Sequence, residues 1–82
     1  MHLLIVEDEE RLAKALKKGL ELKGFAVDWL PEKDRPVLTA AIRLRCDALI
    51  TGDRRHFGRG YGKVFGGVAI HSPRSFAELL FG

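Results

Sequence analysis

Four carboxylates are spaced so that they could do chemistry together. Glu7 and Asp8 close the apolar run His2-Leu-Leu-Ile-Val6, and Asp53 closes a second run, Ala48-Leu-Ile-Thr51. Asp34 opens the segment that leads into that second run. In open parallel sheets, functional groups gather where strands end at their carboxyl edge. Carboxylates converging there repel one another unless a cation neutralises them, and an all-oxygen ligand set points to Mg²⁺ or Mn²⁺. Glu7, Asp8, Asp34 and Asp53 are then the metal ligands. Asp8, Asp34 and Asp53 are the catalytic candidates, holding an ion that activates water against a phosphodiester. Each acid also has a local reading to set beside this one. Asp8 and Glu9 suit the first turn of a helix, where acids complement the dipole, and Asp34 suits an N-cap. The helix that Asp34 opens could begin at the same edge or across the sheet. Asp53, after Thr-Gly, has no obvious capping duty.

The segment Arg54-Arg-His-Phe-Gly-Arg-Gly-Tyr-Gly-Lys63 follows directly, with four formal positive charges, two aromatics and three glycines. Cations hold phosphates, aromatics stack bases, and glycine lets the backbone approach closely. Arg54, Arg55, Arg59, Tyr61 and Lys63 are therefore candidate nucleic-acid contacts. The alternative is a solvated loop whose aromatics tuck back onto the core. His2, His56 and His71 show no zinc-ligand spacing with Cys46. Ser72 reads as an N-cap rather than a nucleophile, and Cys46 as a small buried hydrophobe.

The elements that position these residues follow from the apolar pattern. His2–Val6 is short and continuous enough for a strand covered on both faces. Leu12, Leu16 and Leu20 mark a helix, which Gly24 ends, and Phe25–Trp29 is a second strand. Links this short make a right-handed βαβ unit. Residues 30–33 connect to a helix starting at Asp34, with Val37, Leu38, Ala41, Ile42 and Cys46 on one apolar face. Ala48–Thr51 is the third strand, 54–67 a loop, Val68–Ile70 the fourth strand, and Ser72-Pro73 caps a last helix carrying Phe76, Leu79 and Leu80. The expected fold is α/β, a small Rossmann-like or flavodoxin-like parallel sheet of four strands. The expected order is 2-1-3-4, with helices on both faces.

The 82 residues are 46% hydrophobic and 30% charged, a globular composition that leaves room for one small α/β domain over 1–82. No apolar run approaches the roughly 18 residues of a membrane span, and Met1 leads straight into a strand-like run rather than a signal peptide. A lone Cys46 allows no internal disulfide, which suits a cytoplasmic location. So small a sheet leaves edges uncovered, which favours a homodimer. The net charge of +3 is divided unevenly. Residues 1–30 carry five Lys/Arg against six Asp/Glu, and residues 31–82 carry nine against five.

That division falls close to a change of family likeness. Leu3-Leu-Ile-Val-Glu-Asp-Glu-Glu-Arg-Leu-Ala-Lys-Ala-Leu-Lys-Lys-Gly-Leu20, with Gly24-Phe-Ala-Val-Asp-Trp29, resembles the start of an OmpR/PhoB-type response-regulator receiver domain. The resemblance implies that Glu7 and Asp8 bind Mg²⁺ beside a phosphate-accepting aspartate. From residue 31 the chain instead resembles the C-terminal half of a PIN domain, the fold of VapC-like Mg²⁺-dependent ribonucleases. The stretches concerned are Pro31-Glu-Lys-Asp-Arg-Pro-Val-Leu-Thr-Ala-Ala-Ile42, Asp47-Ala-Leu-Ile-Thr-Gly-Asp-Arg-Arg-His-Phe-Gly58 and Gly67-Val-Ala-Ile-His-Ser-Pro73. This likeness makes Asp34 the helix-start acid and Asp53 the Thr-Gly-Asp acid.

Each likeness is partial. Val6-Glu-Asp-Glu9 stands in place of the PIN family's opening motif, and its mid-chain helical region with a further acidic ligand has no counterpart. The receiver's last strand and its lysine have none either. The chain therefore reads as a chimera of two Rossmann-like halves, engineered or recombined. Its acidic patch would bind Mg²⁺ or Mn²⁺ without robust native activity. The alternatives are a Mg²⁺-dependent PIN-type endoribonuclease and a truncated phosphoreceiver signalling domain, the latter supported by the 45-residue separation of Asp8 and Asp53.

Overall fold

The computed structural model describes residues 1–30 and 37–81. Its elements in chain order are β1 (His2–Val6), α1 (Glu10–Leu22), β2 (Ala26–Leu30), α2 (Val37–Arg43) and β3 (Ala48–Thr51). Then come α3 (Arg54–Phe57), a 3-10 turn (Gly58–Gly60), β4 (Val64–Phe65), β5 (Val68–His71) and α4 (Pro73–Phe81). The fold is α/β and Rossmann-like. One sheet runs β2-β1-β3-β5-β4, with β2, β1, β3 and β5 mutually parallel.

The expected four-strand sheet is corrected to five. The added strand, β4, pairs antiparallel with β5 through Phe65↔Val68 and Val64↔Ala69. Gly66 and Gly67 turn the chain between them with φ of 56° and 84°. Two consecutive positive φ values are what a two-residue hairpin turn of the primed type requires, and glycine supplies them without steric cost. The expected loop over 54–67 thus contains a helical turn, a 3-10 turn and a hairpin arm.

Both faces of the sheet are covered, which is why β1 is apolar from Leu3 to Val6. Leu4, Val6, Leu49, Val68 and Ile70 pack with Val37 and Ala41 of α2 and with Cys46. Leu3, Ile5, Ala48 and Ile50 face the other way, toward Leu20 of α1 and Phe76 of α4. Side chains alternate along each strand, so a strand buried on both faces shows no polar positions. Cys46 is 4% exposed, a core residue as its sequence position suggested.

The inward stripe of α1 differs from the leucine repeat by a partial rotation. Ala13 and Leu20 are buried and Leu16 is half-buried, whereas Leu12 is 42% exposed. At 100° per residue, positions 13, 16 and 20 fall within one narrow arc and Leu12 lies at its margin.

The helix ends are built from local hydrogen bonds. The Glu9 side chain caps α1 by accepting from the Arg11 N–H at 3.3 Å. At the other end the Phe25 N–H donates to the Leu20 carbonyl at 3.1 Å and the Gly24 N–H to the Glu21 carbonyl at 3.0 Å, with Gly24 at φ 94°. This is a Schellman closure with glycine in the left-handed position. A second one ends the α2 segment: the Cys46 N–H donates to Ala41 and the Arg45 N–H to Ile42, both at 3.0 Å. Here the left-handed residue is Arg45, at φ 56°. Ser72 caps α4, its hydroxyl accepting from the Ser75 N–H at 3.0 Å. No helix among the described residues is long and apolar enough to cross a membrane.

Candidate functional site

The register of β1 against β3 brings the acidic segments to one edge. Val6 pairs with Thr51, so Glu7 and Gly52 are the next residues out on adjacent parallel strands. Gly52 makes close approach feasible. A Cβ built there would lie 3.2 Å from Oε1 of Glu7, so the carboxylate occupies the space that a side chain would need.

Glu7 is held at both its backbone groups and its carboxylate. Its N–H donates to the Leu30 carbonyl at 3.3 Å, and its carbonyl accepts the indole N–H of Trp29 at 2.9 Å. Its Oε2 accepts the Glu9 N–H at 2.9 Å. Burial pushes the Glu7 carboxyl above its ordinary value of 4.5, opposed by the Glu9 amide and reinforced by a hydrogen bond to Asp8 and the charges of Asp8 and Glu9.

Asp53 has a local duty that its sequence context did not suggest. Its N–H donates to Oγ1 of the buried Thr51 at 3.1 Å, and its carbonyl accepts the Phe57 N–H at 3.0 Å, opening α3. Asp8 is exposed beside Glu7, and Asp53 is half-buried one residue beyond Gly52. The structure therefore draws Glu7, Asp8 and the Gly52-Asp53 turn to the same edge. Asp34 lies outside the described residues. Among the described residues, no group of three or more His, Cys, Asp or Glu side chains is arranged to hold a metal ion.

The candidate nucleic-acid contacts divide into two kinds. Arg54, Arg55, Arg59 and Lys63 are exposed. Tyr61 is half-buried, with its ring against the core on the α2 face. Its hydroxyl donates to the Thr51 carbonyl at 2.7 Å, tying the 3-10 turn to the end of β3. Burial raises the Tyr61 hydroxyl above its ordinary value of 10.0; Arg54 lowers it and Asp53 raises it. Phe57 also packs on the core, so both aromatics of the loop turn inward.

A further cluster lies at the opposite edge of the sheet, and the sequence spacing concealed it. Nε2 of His2 is 2.6 Å from Oδ2 of Asp28, and Nδ1 of His2 is 3.8 Å from Sγ of Cys46. The pairing of β1 with β2 puts His2 opposite Ala26, so residue 28 is the diagonal neighbour on the same face. Parallel register is the signal that would have exposed this pair.

Together the fold and the edge define a Rossmann-like α/β protein with an acidic carboxyl-terminal sheet edge flanked by exposed arginines. No protein-family model matches the chain, and neither the curated proteins nor the solved structures yield a match.

Proposed function

We propose that the chain is a hybrid α/β domain whose carboxyl edge holds a divalent cation, Mg²⁺ or Mn²⁺, through Glu7 and Asp8, without robust catalytic turnover. The observation carrying this reading is the Glu7 carboxylate, seated against Gly52 and hydrogen-bonded beside Asp8. The donor chemistry fits: Mg²⁺ keeps several waters and is commonly bound by only one or two carboxylates, so an all-protein cage is not required. When bound, the ion would supply Lewis acidity and neutralise the paired charges. Glu7 is oriented for this by the Glu9 amide and the Trp29 indole. The two family likenesses, each lacking parts, support the absence of robust turnover.

A second reading is favoured by the exposed Arg54 and Arg55 that follow Asp53 directly. On it, Asp8, Asp34 and Asp53 serve a Mg²⁺-dependent ribonuclease, and the arginines with Arg59 and Lys63 grip the phosphate backbone. Turnover on RNA with Mn²⁺, and phosphorylation by acetyl phosphate, separate the readings. The hybrid reading expects neither, and strong activity in either assay overturns it. RNA cleavage that disappears in Asp53→Asn would establish the nuclease. A second copy of the chain is the partner proposed for the β4 edge, where Val64 is 64% and Phe65 41% exposed.

A further inference from the structure

At the amino edge of the sheet, remote from the acidic edge, three side chains stand in sequence as thiol, imidazole and carboxylate. The Sγ of Cys46 is 3.8 Å from Nδ1 of His2, and Nε2 of the same ring is 2.6 Å from Oδ2 of Asp28. An ionised carboxylate can only accept, so Nε2 carries the ring proton and Nδ1 is left with its lone pair toward the thiol. His2 is fixed in that position by its own backbone. Its N–H donates to Oδ2 of Asp47 at 2.8 Å, and its carbonyl accepts the Asp47 N–H at 2.7 Å. A nucleophile, a base and a group that orients the base form the arrangement by which a weak nucleophile is activated.

What such a group can react with is limited by its surroundings. The Cys46 N–H is committed to Ala41, and the Asp47 N–H to His2. Neither amide is therefore available to stabilise an oxyanion, which argues against acyl transfer. Cys46 is only 4% exposed, whereas the side chains of His2 and Asp28 are 29% and 55% exposed. The base is at the surface and the sulfur lies just beneath it, so only a small neutral molecule suits the thiol. We propose that Cys46 is a modification site for hydrogen peroxide, with His2 as its general base and Asp28 as the residue that positions His2.

The step balances. Nδ1 of His2 takes the thiol proton as Sγ bonds to one peroxide oxygen. The O–O bond breaks, and the departing hydroxide takes the proton back from the imidazolium to leave as water. The sulfur becomes a sulfenic acid through a two-electron oxidation, and the peroxide is reduced. Burial, with the charges of Asp28 and Asp47, pushes the thiol above its ordinary value of 9.0. At neutral pH the sulfur is therefore protonated and depends on His2 to become a nucleophile. The product places a polar group in the apolar core on the α2 face, where it would loosen α2.

The test exposes the full folded chain to hydrogen peroxide, quenches aliquots into denaturant containing dimedone to trap sulfenic acid, and follows intact mass over time. The expected result is one adduct, absent from Cys46→Ser. His2→Ala should form it at least about tenfold more slowly, and free imidazole should restore the rate, since a positioned base is commonly worth 10²–10⁴. If His2→Ala unfolds, as read from Trp29 emission, His2→Gln takes its place. Asp28→Asn should move the pH profile of the rate, which a purely structural role would leave in place. No adduct on the folded chain, or a folded His2 variant reacting at the wild-type rate, overturns the proposal.

Discussion

Replacing Gly52 with alanine probes the acidic edge through a single contact. The new Cβ would meet Oε1 of Glu7 at 3.2 Å, so the carboxylate must retreat by a few tenths of an ångström. That carboxylate is not free to retreat without consequence, because its other oxygen accepts the Glu9 N–H at 2.9 Å. Weakening a hydrogen bond to an ionised acceptor costs about 1.5–2 kcal/mol. Stiffening the unfolded chain by Gly→Ala returns about 0.5–1 kcal/mol. The expected net loss is about 1 kcal/mol, or about 5 °C in Tm for a domain of this size. Urea and thermal unfolding, followed by the Trp29 fluorescence that reports on the Glu7 carbonyl, measure it. Because the same displacement moves a proposed ligand, Mn²⁺ binding should also weaken severalfold. A Gly52→Ala protein with wild-type stability and wild-type Mn²⁺ binding would refute the claim that this contact sets the edge.

Four further outcomes follow from the same structure. Glu7 has its proton affinity raised by folding, so its contribution to stability is fully present below the ordinary value of 4.5 and is lost as pH rises through the folded value. Glu7→Gln should therefore be more stable than wild type at pH 7 and equal to it near pH 3, as measured by urea titration at both. Arg45→Gly relieves a left-handed backbone at φ 56° and should raise stability by about 1 kcal/mol, seen as a higher Tm. Tyr61→Phe removes the bond to the Thr51 carbonyl and should cost about 1 kcal/mol. In wild type that contribution should fade as pH rises above 10 through the raised Tyr61 value, a loss that the Phe variant does not show. Val64→Lys puts a charge on the exposed β4 edge; if that edge carries the proposed dimer, sedimentation equilibrium should find the wild type dimeric and the variant monomeric.

The parts of the fold visible in sequence are those where burial on both faces leaves a continuous apolar run. The β1 and β3 segments are of this kind, and the Gly24 stop and the Ser72 cap are legible for a different reason, since each depends on nearby residues alone. β4 was hidden because a two-residue strand carries no periodicity; its only mark is the Gly66-Gly67 pair. Leu12 misled because a leucine repeat at i, i+4 and i+8 does not say where the sheet lies relative to the arc. At the site, adjacency of Glu7 and Gly52 could be anticipated once β1 and β3 were taken as neighbours. The role of Asp53 in opening α3 could not, because it depends on a helix of four residues that leaves no apolar stripe. His2, Asp28 and Cys46 are far apart in the chain and meet only through strand register and the closing turn after α2.

The cation site proposed at Glu7 and Asp8, beside Gly52, has a direct spectroscopic signature. It is tested most directly by titrating Mn²⁺ into ¹⁵N-labelled protein and following paramagnetic broadening of the amides. Saturable broadening is expected at Glu7, Asp8 and the Gly52-Asp53 turn, removed by the pair Glu7→Gln and Asp8→Asn. Broadening spread evenly over exposed acids such as Glu10, Glu21 and Glu78, and unchanged in that double variant, would contradict it.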